Sequence, residues 1–163
     1  MTHAGARTTA IVVPCFNEEA RLDPRALAAL VDDDDVALVF VDDGSTDGTR
    51  AALERMQREH GGRVVVVALD VNRGKAEAVR AGLVRAVAMG ARIVGYLDAD
   101  LATPAAEMLR IVDALRADAR LSAAIGARVA LLGTNIERKA SRHYLGRVFA
   151  TAASMVLGVP VYD

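Results

Sequence analysis

The sequence has one cysteine, few aromatic residues and almost no net charge. Trp is absent and aromatic residues make up 4% of the chain, so the core must be built from Ala, Val, Leu and Ile. Cys15 is the only cysteine, which excludes an internal disulfide and a Cys-based zinc site and fits a reducing compartment. The formal net charge of -1 argues against a partner made of nucleic acid.

Long apolar runs are also missing. Residues 1–8 contain no apolar core of a signal peptide, and we expect a disordered tail there. No run reaches the roughly 18 apolar residues that a membrane-spanning helix needs. We therefore expect a cytoplasmic protein, at most peripheral at the inner face of the cell membrane. An apolar content of 53% over 163 residues is typical of one globular domain, which we place at residues 9–163.

Short apolar runs alternate with longer amphipathic ones along the chain. The pattern predicts strands over 9–14, 36–41, 63–69, 92–97 and 121–127, and helices over 18–31, 46–60, 75–89 and 104–117. We expect Asn17 to cap the first helix and Gly61 to end the second. Strands of nearly continuous Val and Ile between helices predict an α/β fold, with a mostly parallel sheet covered by helices on both faces. Such sheets bind ligands at the edge where the strands end.

Two carboxylates follow the fourth predicted strand, in the sequence Asp98-Ala99-Asp100. Alternate residues of an extended segment point the same way, so both carboxylates can converge on one cation. Mg²⁺ and Mn²⁺ prefer such oxygen ligands. The alternative is a pair of loop carboxylates that only caps the next helix.

Polar turns also follow the first and second strands. In PCFNE (14–18), a nucleotide base can pack against the turn, or Phe16 can simply belong to the core. In DDGS (42–45), one carboxylate can accept a hydrogen bond from a base or a ribose hydroxyl. The alternative is that Ser45 or Asp47 only caps the next helix.

Two further charged segments have less specific patterns. NRGK (72–75) opens the third helix, where backbone N–H groups, Arg73 and Lys75 can meet a pyrophosphate, or where the cations are simply solvated. The acidic run 32–35 lies at the opposite edge of the predicted sheet. We interpret it as a solvated acidic turn rather than as a metal site.

Four motifs together, VPCFNEE, VDDGSTDGT, NRGKAEAVRAG and LDADLATP, resemble the family 2 glycosyltransferases with a GT-A fold, in the order and spacing usual there. The chain looks most like the enzymes that glycosylate a polyprenyl phosphate, the dolichyl-phosphate glucose and mannose synthases and their bacterial relatives. GARV (126–129) and ERKASRHYLGRVF (137–149) support this subgroup, and ADLATP favours the branch that uses glucose. Relatives continue beyond Asp163, so we expect a chain truncated at its C-terminus.

The resemblance implies an inverting, metal-dependent transfer of a hexose from UDP-glucose, or next GDP-mannose, to a lipid phosphate such as polyprenyl phosphate. It implies Mg²⁺ or Mn²⁺ on Asp98 and Asp100, and catalytic roles for these two residues and Arg128. It implies acceptor binding by Arg128, Ser141 and Arg142. The donor-binding residues that it implies are Pro14, Phe16, Glu18, Asp42, Asp43, Arg73, Gly74, Lys75, Asp98 and Ala99.

Three alternatives remain open at this point. One is a glycosyltransferase with a sugar hydroxyl as acceptor, which would need a general base that the motifs do not show. Another is a sugar nucleotidyltransferase, although VPCFNEE is not its Gly-rich signature. The third is a non-catalytic module that binds nucleotide sugars.

The segment 137–156 also has a basic face and an apolar stripe at helical spacing, which predicts a peripheral contact with an anionic membrane.

Overall fold

A computed structural model describes residues 8–126, and within them four strands form one parallel sheet. The strands are β1 (Thr9–Cys15), β2 (Val36–Asp42), β3 (Val64–Ala68) and β4 (Ile93–Tyr96). Their order is β3-β2-β1-β4, and all three neighbouring pairs are parallel. The predicted α/β fold with a parallel sheet is therefore confirmed.

Four helices connect or follow these strands. They are α1 (Pro24–Ala28), α2 (Thr49–His60), α3 (Lys75–Ala88) and α4 (Ala105–Ala117). Gly61 ends α2 with a φ of +58°, as the sequence predicted. No helix in the part of the chain that the structure describes has both the length and the apolarity to cross a bilayer.

Side chains of β1 alternate between two cores, one on each face of the sheet. Ile11 and Val13 pack with residues of α1, α2 and α4, whereas Ala10 and Val12 pack with residues of α3. A Cβ at Gly82 of α3 would lie 2.2 Å from Val12 Cγ1, so this helix approaches the sheet closely. Helices therefore cover both faces, as expected for strands with apolar residues on both sides.

Two predicted elements differ from the structure. The helix predicted over 18–31 begins only at Pro24, where Asp23 caps it through bonds of 3.0 and 3.1 Å from the N–H groups of Arg25 and Ala26. Asn17 is not its cap, because Asn17 has a φ of +52° and belongs to the preceding loop. The predicted fifth strand is also wrong over 121–126, where the chain is irregular, and Ala127 lies outside the described residues.

Part of the acidic run 32–35 forms a structural cluster at the sheet edge where the strands begin. Arg116 of α4 contacts Asp33 at 2.6 Å and Asp35 at 3.0 Å, and it donates to Thr9 Oγ1 at 3.1 Å. Thr8 also donates to Asp35 through its N–H and its hydroxyl. These bonds hold the pKa values of Asp33 and Asp35 below their usual range. Half of the run, Asp33 and Asp35, is therefore bound by Arg116 and is not a solvated turn. We call these three residues the clamp.

Candidate active site

An open cleft of about 320 Å³ lies at the carboxyl ends of the strands. Its lining comes from the end of β1, from the segments that follow the four strands, and from the first turn of α3. The sheet order reverses between β1 and β4, and ligands of open α/β sheets bind at such a switch point. The cleft is lined by Pro14, Cys15, Phe16, Glu18, Asp43, Asn72, Gly74, Lys75, Ala78, Asp98, Ala99 and Asp100.

The loop after β1 presents an aromatic ring to this cleft. Phe16 is 42% exposed, so the ring is not part of the core. Asn17 holds the loop against the one that follows β2. Its N–H donates to Ser45 Oγ at 3.1 Å, and its Oδ1 accepts from the N–H of Thr46 at 2.9 Å. Asn17 has a positive φ of +52°, which asparagine adopts more readily than most other residues.

The loop after β2 positions the start of α3 through a buried carboxylate. Asp43 is 2% exposed, and its two oxygens accept from the N–H groups of Arg73 and Gly74 at 2.8 and 2.9 Å. Gly44 has a φ of +70°, and a Cβ there would lie 2.6 Å from the backbone of Asn72. The two loops therefore touch at their backbones and need glycine at this contact. The N–H groups of Arg73 and Gly74 are already used by Asp43.

Lys75 is the first residue of α3 and carries its charge into the cleft. Its Nζ lies 2.6 Å from Asp98 Oδ1 and 6.0 Å from the ring centroid of Tyr96. The bond to Asp98 raises the pKa of Lys75. Because α3 begins here, the positive end of the helix dipole lies beside the same cleft. This end of the cleft thus has a partly exposed ammonium group next to a carboxylate.

Asp98 and Asp100 lie in a tight turn after β4 rather than in an extended segment. The Leu101 N–H donates to the Asp98 carbonyl at 3.1 Å, and Asp100 Oδ1 accepts from the Ala102 N–H at 3.0 Å. Leu101 has a φ of +52°, which folds the chain back toward the core. The turn, and not strand alternation, brings both carboxylates to the cleft.

A divalent cation fits this pair of carboxylates only if other ligands complete its shell. Within residues 8–126, no group of three or more His, Cys, Asp and Glu side chains is arranged as a metal site. Mg²⁺ is commonly held by one or two carboxylates together with water and substrate phosphates. Asp98 and Asp100 match that requirement, because the open cleft leaves room for a phosphorylated ligand.

Most of the predicted site residues that the structure describes meet in this cleft. Asp42 does not line it, because Asp42 is 1% exposed and its carboxylate accepts from the Ser45 N–H at 3.0 Å. Arg73 contributes its backbone to the adjacent loop but does not line the cleft. Arg128, Ser141, Arg142 and the segment 137–156 lie outside the described residues, so these predictions are untested.

Three lining residues were missing from the predicted set. Asn72 and Ala78 flank Gly74 and Lys75, and their small or polar side chains gave no separate signal. Cys15 follows Pro14 in the first motif. Burial, and next the charges of Glu18 and Asp42, raise the pKa of the Cys15 thiol to about 12. At neutral pH this thiol is protonated and is not a nucleophile.

Comparison with known proteins shows the family. Residues 10–161 match the family model described as Glycosyl transferase family 2. The chain belongs to glycosyltransferase family 2.

Two bacterial relatives align with nearly the whole chain. An undecaprenyl-phosphate 4-deoxy-4-formamido-L-arabinose transferase from Pseudomonas fluorescens is 32% identical over 94% of this chain and 43% of its own length. A polyprenol monophosphomannose synthase from Mycolicibacterium smegmatis is 30% identical over 95% of this chain and 58% of its own length. The chain thus spans about half the length of these relatives.

A solved structure has the same fold over about two thirds of the chain. The mannosyltransferase PcManGT from Pyrobaculum calidifontis, in complex with GDP-Man and Mn²⁺, superposes with a TM-score of 0.55 at 29% identity. The match covers 66% of this chain and 32% of that one. It supports the GT-A fold that the motifs predicted.

Proposed function

We propose that this chain is the donor-binding part of an inverting glycosyltransferase that moves a hexose from a nucleotide diphosphate sugar to a polyprenyl phosphate. Family membership supports sugar transfer. The two relatives that cover most of the chain are named for undecaprenyl phosphate and for polyprenol, which supports a lipid phosphate as the acceptor.

The carboxylates of the cleft give the main structural support for a phosphate acceptor. Glu18 pairs with Arg21 at 2.8 Å, and Asp43 binds the loop before α3. Asp98 contacts Lys75, and Asp100 accepts from a backbone N–H of its own turn. Each carboxylate that lines the described cleft therefore already has a hydrogen bond or an ion pair within the chain. A sugar hydroxyl needs a general base, whereas a phosphate is already an anion at neutral pH.

In the proposed reaction, a phosphate oxygen of the acceptor forms a bond to the anomeric carbon from the face opposite the diphosphate. The bond between this carbon and the diphosphate breaks, and the nucleoside diphosphate leaves with the electron pair. A divalent cation, Mg²⁺ or Mn²⁺, held by Asp98 and Asp100 would neutralise charge that develops on the diphosphate. Lys75 and the start of α3 supply further positive charge at the same end of the cleft.

The identity of the donor sugar is the finer part of the proposal. The motif ADLATP resembles the branch of the family that uses glucose, and on this ground UDP-glucose is the first predicted donor. The names of the relatives support two other sugars, mannose and 4-deoxy-4-formamido-L-arabinose. GDP-mannose is therefore tested beside UDP-glucose, with the nucleotide donor of the formamido-arabinose as the third candidate.

A transfer assay tests the function. The full chain is incubated with Mn²⁺ and each radiolabelled donor, with undecaprenyl phosphate or undecaprenol as the acceptor. We expect label in the lipid phosphate product and release of nucleoside diphosphate, both lost in Asp100→Asn. Asp34→Asn is the matched control, since Asp34 is almost fully exposed and lies just before β2, at the opposite end of the strands from the cleft.

Other outcomes identify the alternatives. Equal transfer to undecaprenol would show an acceptor hydroxyl instead of a phosphate. Formation of nucleoside triphosphate and sugar 1-phosphate, when inorganic diphosphate replaces the acceptor, would indicate a nucleotidyltransferase. Binding of a nucleotide sugar without any product, with every acceptor offered, would leave a non-catalytic binding module.

The lipid side of the proposal rests on residues outside the described part. We propose that Arg128, Ser141 and Arg142 contact the acceptor phosphate and that the basic segment 137–156 lies against an anionic membrane at its cytoplasmic face. Sedimentation with anionic vesicles should show binding that weakens with salt, because exposed charges are screened. Arg138→Glu with Arg142→Glu should remove this binding, and binding that salt does not weaken would contradict the proposal.

A further inference from the structure

One carboxylate of the proposed cation site is already in contact with a positive charge. Lys75 Nζ lies 2.6 Å from Asp98 Oδ1, and the two side chains are 59% and 44% exposed. Both groups line the cleft, so neither is sealed inside the core. The pair can therefore open without any change in the fold.

An ammonium group and a divalent cation compete for the same carboxylate. The two positive charges repel each other over a few ångströms, and both need the same negative charge of Asp98. Lysine has a flexible four-carbon side chain and a compact charge, so it can leave one anion for another nearby. In the structure the Lys75 ammonium lies at Asp98 Oδ1, where its charge would weaken the binding of a divalent cation to Asp98.

A nucleotide diphosphate would give Lys75 another partner. The first turn of α3, which begins with Lys75, faces the cleft beside Asp98. A diphosphate at this helix start offers several anionic oxygens within the reach of the lysine side chain. The ammonium could then bind the donor and release Asp98.

We propose that Lys75 is a resident counter-ion of Asp98 that competes with the divalent cation in the empty chain and moves to the donor diphosphate when the nucleotide binds. The inference rests on the proposed function, because that function assigns the cation to Asp98. Its consequence is that the cation and the nucleotide favour each other's binding. By thermodynamic linkage the coupling is equal in both directions.

This role predicts effects of opposite sign on the two ligands. A lysine that only binds phosphate would leave the cation affinity of the empty chain unchanged when removed. A competing lysine makes that affinity weaker, so its removal must strengthen cation binding while it weakens nucleotide binding.

The test measures Mn²⁺ binding to the full chain without nucleotide, from the electron paramagnetic resonance signal of free Mn²⁺. Lys75→Met, which keeps the length of the side chain and removes its charge, should bind Mn²⁺ roughly two- to fivefold more tightly, the range expected for an exposed ion pair. Lys75→Arg should stay close to the wild type. Arg80→Gln removes one positive charge from the same helix, where Arg80 pairs with Glu77 instead, and should also leave the affinity unchanged.

A second titration measures GDP and UDP at saturating Mn²⁺ by calorimetry. The comparison uses the nucleotide, GDP or UDP, that the wild type binds more tightly. Lys75→Met should bind this nucleotide more weakly than the wild type does. An unchanged or weaker affinity of Lys75→Met for Mn²⁺, in a variant whose circular dichroism matches the wild type, would overturn the inference.

Asp98→Asn separates failure of the inference from failure of the proposed function. If Asp98→Asn binds Mn²⁺ as the wild type does, Asp98 is not a cation ligand, and both the inference and the proposed cation site fail. If Asp98→Asn loses Mn²⁺ but Lys75→Met does not gain it, only the competition is wrong.

Discussion

The two edges of the sheet each have a pair of aspartates spaced two residues apart. Asp33 and Asp35 lie where the strands begin, and Asp98 and Asp100 lie where they end. Exposure does not separate them, since the side chains of Asp35 and Asp98 are 39% and 44% exposed. What differs is the positive partner. Arg116 contacts both members of the first pair, whereas Lys75 contacts one member of the second.

The difference shows how the same pattern of two aspartates can either be neutralised within the chain or be left open to a ligand. A guanidinium holds its hydrogen bonds in a fixed planar geometry, so the clamp around Arg116 is complete within the chain. The pair at the cleft has a single flexible ammonium and open space beside it. Charge that the fold leaves incompletely neutralised at an open edge is available to a ligand.

The largest expected effect separates the two pairs by nucleotide binding. Asp100→Asn should weaken nucleotide diphosphate affinity in Mn²⁺ by more than about tenfold, since a bound cation contributes several kcal/mol and 1.4 kcal/mol is a factor of ten. Asp33→Asn should leave this affinity unchanged. Calorimetry with and without Mn²⁺ measures both variants, and equal losses would remove the functional distinction between the two edges.

The next effect concerns Asp43, the buried carboxylate that holds the loop before α3. Asp43→Asn replaces one of the two acceptor oxygens by an NH2 group, which cannot accept, so one of the hydrogen bonds from the N–H groups of Arg73 and Gly74 is lost. We expect the free energy of unfolding to fall by about 2 kcal/mol, the range of a hydrogen bond to a charged group, together with weaker nucleotide binding. Urea unfolding measures the loss, with Asp32→Asn on the exposed part of the acidic run as the control. A stability equal to the wild type would show that the loop holds its shape without Asp43.

A smaller effect is expected at the clamp, and it depends on pH. Arg116→Met should lower the free energy of unfolding by about 1 kcal/mol at pH 7, because the pairs are partly exposed and screened. The folded pKa values of Asp33 and Asp35 lie below the ordinary 3.8. Their contribution is therefore complete above pH 3.8 and is lost as the pH falls through the lowered values.

Unfolding of Arg116→Met and the wild type is compared in urea between pH 2.5 and 7. The difference between the two proteins should shrink below pH 3.8. A difference that stays constant over this range would mean that packing of the arginine side chain, and not charge, stabilises the clamp.

The smallest effect is expected at Cys15, which lies in the cleft wall but is 1% exposed. Cys15→Ala should keep nucleotide affinity within about twofold, since the thiol is buried and donates to the Val13 carbonyl. The pKa of about 12 also predicts that iodoacetamide at pH 8 alkylates the unfolded chain much faster than the native one. Rapid alkylation of the native chain, measured by mass spectrometry, would show that the cleft wall opens.

The apolar runs predicted the four strands of the described sheet, because buried parallel strands are short and nearly continuous in Val, Ile and Leu. The first helix was predicted too long, since the acidic residues after Asn17 suit a helix start as well as a loop. Only contacts distant in sequence decide between the two. The bonds from Asn17 to Ser45 and Thr46 keep this stretch in the loop.

The sequence predicted which motifs meet at the cleft but not how each carboxylate is used there. Order along a parallel sheet is enough to place the turns after β1, β2 and β4 at one edge. It does not show that Asp43 binds backbone N–H groups or that Lys75 reaches Asp98, because these depend on the conformation of two loops. The pair Asp33 and Asp35 was missed as a clamp for the same reason, since Arg116 lies far along the chain.

The strand order also determines when the site can form during synthesis. The first three strands are adjacent in the sheet, and Pro14 in β1 and Phe16 just after β1 form part of the cleft wall. β4 pairs with β1, and this pairing joins Thr9 to Ile93. Contacts so distant in sequence are slow to form because a long loop must close first. We therefore expect a nascent chain to form the part of the cleft wall at Pro14 and Phe16 well before Asp98 and Asp100 join it, so the cleft is complete only when β4 has docked.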